Sequence, residues 1–219
     1  MNLFWTKTPS FIRLWFSKYI WKIPNNENKI YLTFDDGPIP IVTERVLSIL
    51  KEEKIKATFF CIGDNIKKHS LLFKRIQDEG HAIGNHTFNH LNGWKTNTNE
   101  YIENFKLGNE TIQKYQLEHL DEKTNSTELF RPPYGKIKSS QARTIMKSNY
   151  KIIMWDVLSY DFNTTLTPEK CLENVIKNTT TGSIIVFHDS LKAYKNLEYA
   201  LPKAIQLLKQ KGFEFDIIT

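Results

Sequence analysis

The chain has 219 residues, of which 40% are hydrophobic and 25% charged, with two cysteines and a formal net charge of +6. That length and balance suit one enzyme-sized domain with a single buried core, and they exclude a disordered chain and a disulfide-built scaffold. Nucleic-acid binding is excluded too, because the excess charge is confined to one end and no recognition motif follows it.

In chain order, Met1 to Asn26 carries Lys7, Arg13, Lys18 and Lys22 and no acid, so +4 of the net +6 falls there. Interleaved Trp5, Phe11, Leu14, Trp15 and Phe16 predict an amphipathic helix from Ser10 to Trp21, with Pro9 just before it. No apolar run is long enough for a signal h-region or a spanning helix. Residues 1–28 are expected to pack against the domain that follows, residues 29–219, and close its core. The alternative is peripheral contact with an anionic membrane surface through residues 1–24.

Strands are predicted at Ile30 to Phe34, Ala57 to Ile62, His81 to Gly84, Glu128 to Arg131, Lys151 to Asp156, Ser183 to His188 and Phe213 to Ile218. Helices are predicted between them at Ile41 to Glu53, Ile66 to Glu79, Glu100 to Leu117, Ile137 to Lys147, Pro168 to Asn178 and Tyr194 to Lys211. Val46, Leu47 and Leu50 form an apolar stripe on the first, and Thr167 with Pro168 reads as an N-cap followed by proline at the first helical position. Asp121 to Glu128 reads as a surface loop. Seven strands alternating with helices argue for a parallel α/β architecture. Cys61, in a strand pattern, and Cys171, in a helix pattern, read as small apolar core residues, which favours a reducing compartment.

The strongest chemical signal is Thr33-Phe34-Asp35-Asp36-Gly37-Pro38, an apolar strand ending in two adjacent carboxylates and a turn. Neighbouring aspartates repel one another, so a cation or distinct environments must separate their roles. Downstream, three of the six histidines fall between His81 and His90. His86 and His90 are spaced i, i+4, which on a helical turn points both imidazoles the same way. Two imidazoles and one carboxylate suit Zn²⁺, or another divalent ion such as Co²⁺, with a position left open for water. His81 opens a short apolar strand and lacks that spacing, which makes it a bystander.

Two further segments complete an ordered set: Phe130-Arg131-Pro132-Pro133-Tyr134-Gly135, and the apolar run Ile184-Ile185-Val186-Phe187 ending in His188-Asp189. Together the four segments resemble the polysaccharide deacetylase family, the carbohydrate esterases of family 4 built on a NodB-type domain. The resemblance implies a distorted (β/α)₇ barrel with the Asp pair, Arg131, Asp156 and His188 at the C-terminal strand ends, where barrel enzymes place their chemistry. It implies hydrolysis of the N-acetyl groups of N-acetylglucosamine units in peptidoglycan, chitin-like oligomers or a related glycan. Relatives of that kind also cleave acetyl esters or cyclic amides, and a glycan-binding pseudoenzyme is the non-enzymatic alternative. With no signal peptide read in these residues, a monomeric enzyme in the cytoplasm or at the inner membrane surface is the expectation.

The roles the resemblance implies are these. Asp36, His86 and His90 hold the metal, Asp35 is the general base, and Arg131 orients it. The backbone N–H of Tyr134 stabilises the oxyanion, Pro133 and Phe162 contact substrate, and His188 protonates the leaving amine. Trp94, Tyr134 and Phe162 offer faces on which a sugar can stack, whereas Trp155 is a core or pocket-wall residue. The chain departs from the family at Trp155-Asp156-Val157-Leu158-Ser159-Tyr160-Asp161-Phe162, where Asp-x-x-Asp-Trp is usual. Leu158 stands at the first aspartate, the one expected to support the catalytic histidine, and leucine accepts no hydrogen bond. Asp156 and Asp161 remain as substitutes.

Overall fold

Alternation along Lys29–Asp35 (β1) sets the architecture. Successive residues of a strand point to opposite faces, so Ile30, Leu32 and Phe34 go one way and Tyr31, Thr33 and Asp35 the other. The first set joins the largest apolar cluster, which also takes in Leu47, Leu50, Val175, Leu201 and Ile205 from helices. Tyr31 joins a separate cluster with Phe60, Leu129, Ile153, Ile184 and Ile218. A strand apolar on both faces belongs to a parallel sheet with helices outside.

The computed structural model describes residues 5–116 and 128–219. After a short helix α1 (Ser10–Trp15) and β1 come α2 (Val42–Glu52), β2 (Thr58–Cys61), α3 (Gly63–Lys68), α4 (Ser70–Asp78), β3 (Ala82–Asn85) and α5 (Thr98–Tyr115). Then follow β4 (Leu129–Phe130), a 3₁₀ turn at Pro133–Gly135, α6 (Ser139–Lys147), β5 (Lys151–Ile152), β6 (Val157–Leu158), α7 (Pro168–Asn178), β7 (Ile184–His188), α8 (Tyr194–Gln210) and β8 (Glu214–Asp216). The strands run in the order β5-β4-β3-β2-β1-β7-β6, with β8 beside the first residues of β1. Every recorded pairing between them is parallel. The sheet curls into the distorted (β/α)₇ barrel expected from the sequence. Residues 121–127 of the expected surface loop, and Leu117 at the end of the helix expected from Glu100, lie outside the described residues.

Between the edges β5 and β6 runs the N-terminal segment. Ile20 N–H donates to Ile152 O at 2.9 Å and Ile20 O accepts from Met154 N–H at 2.7 Å. Further on, Thr6 O accepts from Leu158 N–H at 2.9 Å and Ile23 N–H donates to Gly182 O at 2.9 Å. Asp156, fully buried, is neutralised from this segment by Lys7 at 2.6 Å and Arg13 at 3.5 Å, and accepts from Ser183 Oγ at 2.6 Å.

Three elements differ from the sequence reading. The helix expected from Ser10 to Trp21 stops at Trp15, because Ile20 and Lys22 must be extended to bridge Ile153 and Ser183. The strand expected from Lys151 to Asp156 is cut to β5, since the carbonyls of Ile153 and Met154 turn to the Arg131 guanidinium, and β6 forms beyond it at Val157–Leu158, where no strand was expected. The helix expected from Ile66 to Glu79 is two, broken at His69, and α3 starts early at Gly63. Its first amides, Gly63 and Asp64, donate to the carbonyls of Thr87 and Phe88, both at 3.0 Å. Helix-start donors have no partner in their own helix, and here they anchor the loop that carries His86 and His90. α7 begins as expected, with Thr167 Oγ1 accepting from Lys170 N–H.

Candidate active site

The inward sets of β1 and β7 end in polar groups at the same end of the barrel. In β1 this is Asp35, and in β7, whose Ile184, Val186 and His188 alternate inward, it is His188, directly opposite Asp35 in register. Just after β4 comes Arg131, fully buried. Its Nη1 donates to Asp35 Oδ1 at 2.6 Å and Thr33 Oγ1 at 2.7 Å, Nε to Ile153 O at 3.2 Å and Nη2 to Met154 O at 3.1 Å. Its guanidinium carbon lies 4.0 Å from the centre of the Phe60 ring. Burial works against the Arg131 charge and Asp35 sustains it.

Asp36 follows at φ 83°, a left-handed backbone that turns its carboxylate away from the strand alternation and from Asp35. Asp36 Oδ1 is 3.2 Å from His90 Nε2 and 3.7 Å from His86 Nε2, and the donor atoms of the three residues lie within 4.8 Å of one another. Bonds of about 2.0 Å at tetrahedral angles would set such atoms roughly 3.3 Å apart. Both imidazoles have Nδ1 occupied: His86 Nδ1 is 2.7 Å from Arg131 O, and His90 Nδ1 is 3.1 Å from the Tyr134 hydroxyl. A bound cation would take both Nε2 lone pairs, with Nδ1–H donating in each ring; without it His90 Nε2–H donates to Asp36. Burial lowers the His86 pKa to about 4, against the opposing pull of Asp35, so this ring is neutral at pH 7. Burial alone would raise the Asp36 carboxyl, but the hydrogen bond from His90 and the nearby His188 hold it well below the usual carboxylate range. These three residues fit a divalent cation.

His86 and His90 converge through a loop and not the helical turn that their spacing suggested. Thr87 and His90 are left-handed, at φ 64° and 57°. Asn85 Oδ1 accepts from Thr87 N–H at 2.6 Å, and Asn104 Oδ1 accepts from the N–H groups of Phe88 and Asn89 at 3.0 and 2.9 Å. His81 is apart from the cluster, accepting from Ala57 N–H through Nδ1 at 3.2 Å, with burial lowering its pKa to about 3.

The support of His188 comes from one of the two carboxylates left open at the Leu158 departure. Asp161 Oδ1 is 2.8 Å from His188 Nδ1, and Asp161 Oδ2 accepts the His188 backbone N–H at 2.7 Å. The aspartate that holds the histidine is therefore the second of the segment, brought round by left-handed Tyr160 (φ 66°), while Leu158 is buried in the cavity wall and Asp156 pairs with the N-terminal segment. Burial would lower the His188 pKa, yet Asp161, with Asp36 and Asp35 behind it, raises it to about 9. Phe162 sets its ring edge-on to His188, centroids 4.9 Å apart.

Asp189 stays out of the chemistry. Its fully buried carboxyl accepts from Gly37 N–H at 2.9 Å and Thr43 Oγ1 at 2.6 Å, and burial pushes its pKa well up. A Cβ on Gly37 would come 1.9 Å from Asp189 Oδ2, which is why glycine follows the Asp pair.

A cavity of about 460 Å³ brings together Asp35, Asp36, His86, His90, Tyr134, Phe162 and His188 of the expected set, with Trp155 and Leu158 in its wall. Pro133 is a correction: it is buried and opens the 3₁₀ turn that makes Tyr134 left-handed (φ 59°), so it positions Tyr134 and does not line the cavity. Arg131 reaches the cavity only through Asp35. Ser190 and Lys192, which also line it, carried no sequence signal beyond following the His188-Asp189 pair. Trp94 lines a neighbouring groove, its Nε1 donating to Ile137 O at 3.2 Å.

A parallel barrel with two Asp, three His and a buried Arg gathered at one end, where barrel enzymes place their chemistry, has the arrangement of an enzyme site, and three of these residues could hold a metal ion. Comparison with known proteins narrows this. The family model described as polysaccharide deacetylase matches residues 22–153. A peptidoglycan-N-acetylglucosamine deacetylase of Bacillus cereus is 36% identical over 202 residues, 91% of this chain and 90% of its own. A chitooligosaccharide deacetylase of Azorhizobium caulinodans is 36% identical over 168 residues, 77% of each chain. The crystal structure of the Bc1960 peptidoglycan N-acetylglucosamine deacetylase superposes with a TM-score of 0.85 at 33% identity, covering 96% of this chain and 95% of that one. The chain belongs to the polysaccharide deacetylase family, hydrolases of carbon–nitrogen bonds other than peptide bonds.

Proposed function

We propose that the chain removes N-acetyl groups from N-acetylglucosamine units of a glycan, of the peptidoglycan or chitin-oligomer kind, in a reaction that needs a divalent cation. Asp36 would hold that cation through a carboxylate oxygen and His86 and His90 through Nε2, a set that suits Zn²⁺ and accommodates Co²⁺. When bound, such an ion supplies Lewis acidity, making water a better nucleophile near neutral pH and polarising the acetyl carbonyl. Asp35 takes the proton of the attacking water, and Arg131 keeps it ionised and aimed. The Tyr134 backbone N–H donates to the oxyanion, a contact worth about 3 kcal/mol in comparable sites. His188 gives its proton to the nitrogen as the C–N bond breaks, so that the sugar leaves as a neutral amine. Water is thereby divided between acetate and amine with no other reactant. Phe162 and Trp155 wall the cavity where a sugar ring would lie.

One observation carries this reading. The Arg131–Asp35 pair and the Asp161–His188 pair, one suited to receive a proton and one to deliver it, flank the Asp36–His86–His90 cluster in a single cavity. A pseudoenzyme has no use for both pairs intact. The test is acetate release from chitin oligomers against acetylated xylan, with free amines counted alongside acetate. Equal amounts of acetate and amine from the oligomers support the reading. Release from the xylan ester alone, or oligomer binding with no release, would overturn it.

A further inference from the structure

Residues Trp5 to Phe16 present a face that the barrel leaves uncovered. Trp5, Phe11, Leu14, Trp15 and Phe16 are 43, 52, 73, 76 and 45% exposed, an unusual concentration of apolar side chains in twelve residues. Trp5 meets Phe11 edge-on at 6.1 Å and Phe11 meets Trp15 edge-on at 6.4 Å, so the rings form one continuous ledge. The opposite side of the segment is occupied. Ile12 packs against the cluster containing Trp21, Tyr101 and Phe130, and Arg13 lies beside Asp156. The segment is thus held to the barrel by one side and offers the other.

Charge selects what the ledge meets. The first 26 residues hold no acid; Lys7 and Arg13 are turned to Asp156 and Lys22 to Thr180, whereas Lys18 is exposed directly beyond the ledge. A second copy docked two-fold through this face would bring Lys18 toward like charge with no acid on the segment to offset it, and a six-residue helix offers little of the area a stable interface needs. Anionic headgroups would neutralise Lys18 while Trp and Phe rings enter the headgroup boundary, the depth these side chains favour. No helix among the described residues is long and apolar enough to cross a membrane, so the contact is peripheral.

We infer that the Trp5–Lys18 face docks on the surface of an anionic lipid bilayer. A groove of about 730 Å³ runs from this face toward the catalytic cavity, with Trp5, Phe16 and Trp21 on one side and Trp94 and Lys136 on the other, and it shares Tyr134 and Trp155 with that cavity. Docking therefore sets the mouth of the cavity beside the bilayer, within reach of acetylated amino sugars tethered to lipid. Docking itself is independent of which bond the cavity cleaves.

The test is co-sedimentation of the full chain with phosphatidylglycerol–phosphatidylcholine vesicles and with phosphatidylcholine vesicles, alongside sedimentation velocity without lipid. Binding to the anionic vesicles, weakened by salt, is expected. A Leu14→Ser/Trp15→Ser double variant should lose about tenfold or more of it with its Tm unchanged, and Lys18→Glu should weaken it independently. Failure of the parent chain to bind anionic vesicles would overturn the inference, as would undiminished binding by both variants. A concentration-dependent dimer abolished by the double variant would also overturn it and give the face to a second copy.

Discussion

Replacing Asp161 by asparagine removes one negative charge from beside His188 and keeps the shape of the side chain. Asp161 receives three N–H donors: His188 Nδ1 at 2.8 Å and Phe162 N at 3.0 Å on Oδ1, and His188 N at 2.7 Å on Oδ2. A carboxylate accepts at both oxygens, whereas a carboxamide accepts at one and opposes N–H with N–H at the other. With Asp161 in place the His188 pKa is raised from 6.5 to about 9. Without it, burial is opposed only by Asp36 and Asp35, and the value falls to the ordinary ~6.5 or below. At pH 8 the protonated fraction then drops from about 0.9 to about 0.03, a roughly thirtyfold loss of the acid form or about 2 kcal/mol, out of about 3.4 kcal/mol for the whole shift. Because the folded-state pKa is raised, the acid form persists below it and is lost as pH rises through it. The alkaline limb of kcat/KM should accordingly lie near 9 in the parent and near or below 6.5 in Asp161→Asn. A cation at Asp36 offsets part of the Asp36 contribution in both proteins, so the profiles are compared at equal metal loading. The assay is acetate release from chitin oligomers across pH. An alkaline limb that stays in place, or a loss uniform at every pH, would refute a proton-holding role for the pair.

Four other variants separate the remaining roles. Asp36→Ala or His90→Ala should lower bound metal after dialysis by an order of magnitude or more, with turnover lost in step; metal content at parent level in both would show that the cluster is not the ligand set. Asp35→Asn should keep its metal and lose turnover by about two to four orders of magnitude, so a metal-free variant would mean that the two aspartates exchange roles. Arg131→Met leaves Asp35 buried without its cation and should cost about 3–5 kcal/mol in urea unfolding; a change within error would show that the pair contributes nothing to the fold.

Much of this site was legible because strand ends are legible. An apolar alternation that stops at Asp35 or His188 leaves only one way for those side chains to point, and the pairing of Asp35 with Arg131 followed from the motifs that carry them. His86 and His90 were found by a spacing whose physical basis was different. Their convergence depends on left-handed Thr87 and His90 and on Asn85 and Asn104, whose hydrogen bonds span separate elements and leave no periodic trace. Asp161 escaped assignment for a similar reason. Residues 156, 158 and 161 all follow one strand, and only the turn at Tyr160 decides which carboxylate returns to β7. The N-terminal segment was legible as amphipathic but not in its course, because its hydrogen bonds go to two barrel edges fixed by the rest of the chain.

The central claim, a divalent cation at Asp36, His86 and His90 serving removal of acetyl from amino sugars, is tested most directly by stripping the protein of metal and measuring acetate released from N-acetylglucosamine oligomers with and without added Zn²⁺. The account predicts no release from the stripped protein and recovery on addition of about one equivalent of Zn²⁺ per chain. Full release from protein shown to be free of metal, or none from protein shown to hold it, would contradict the account.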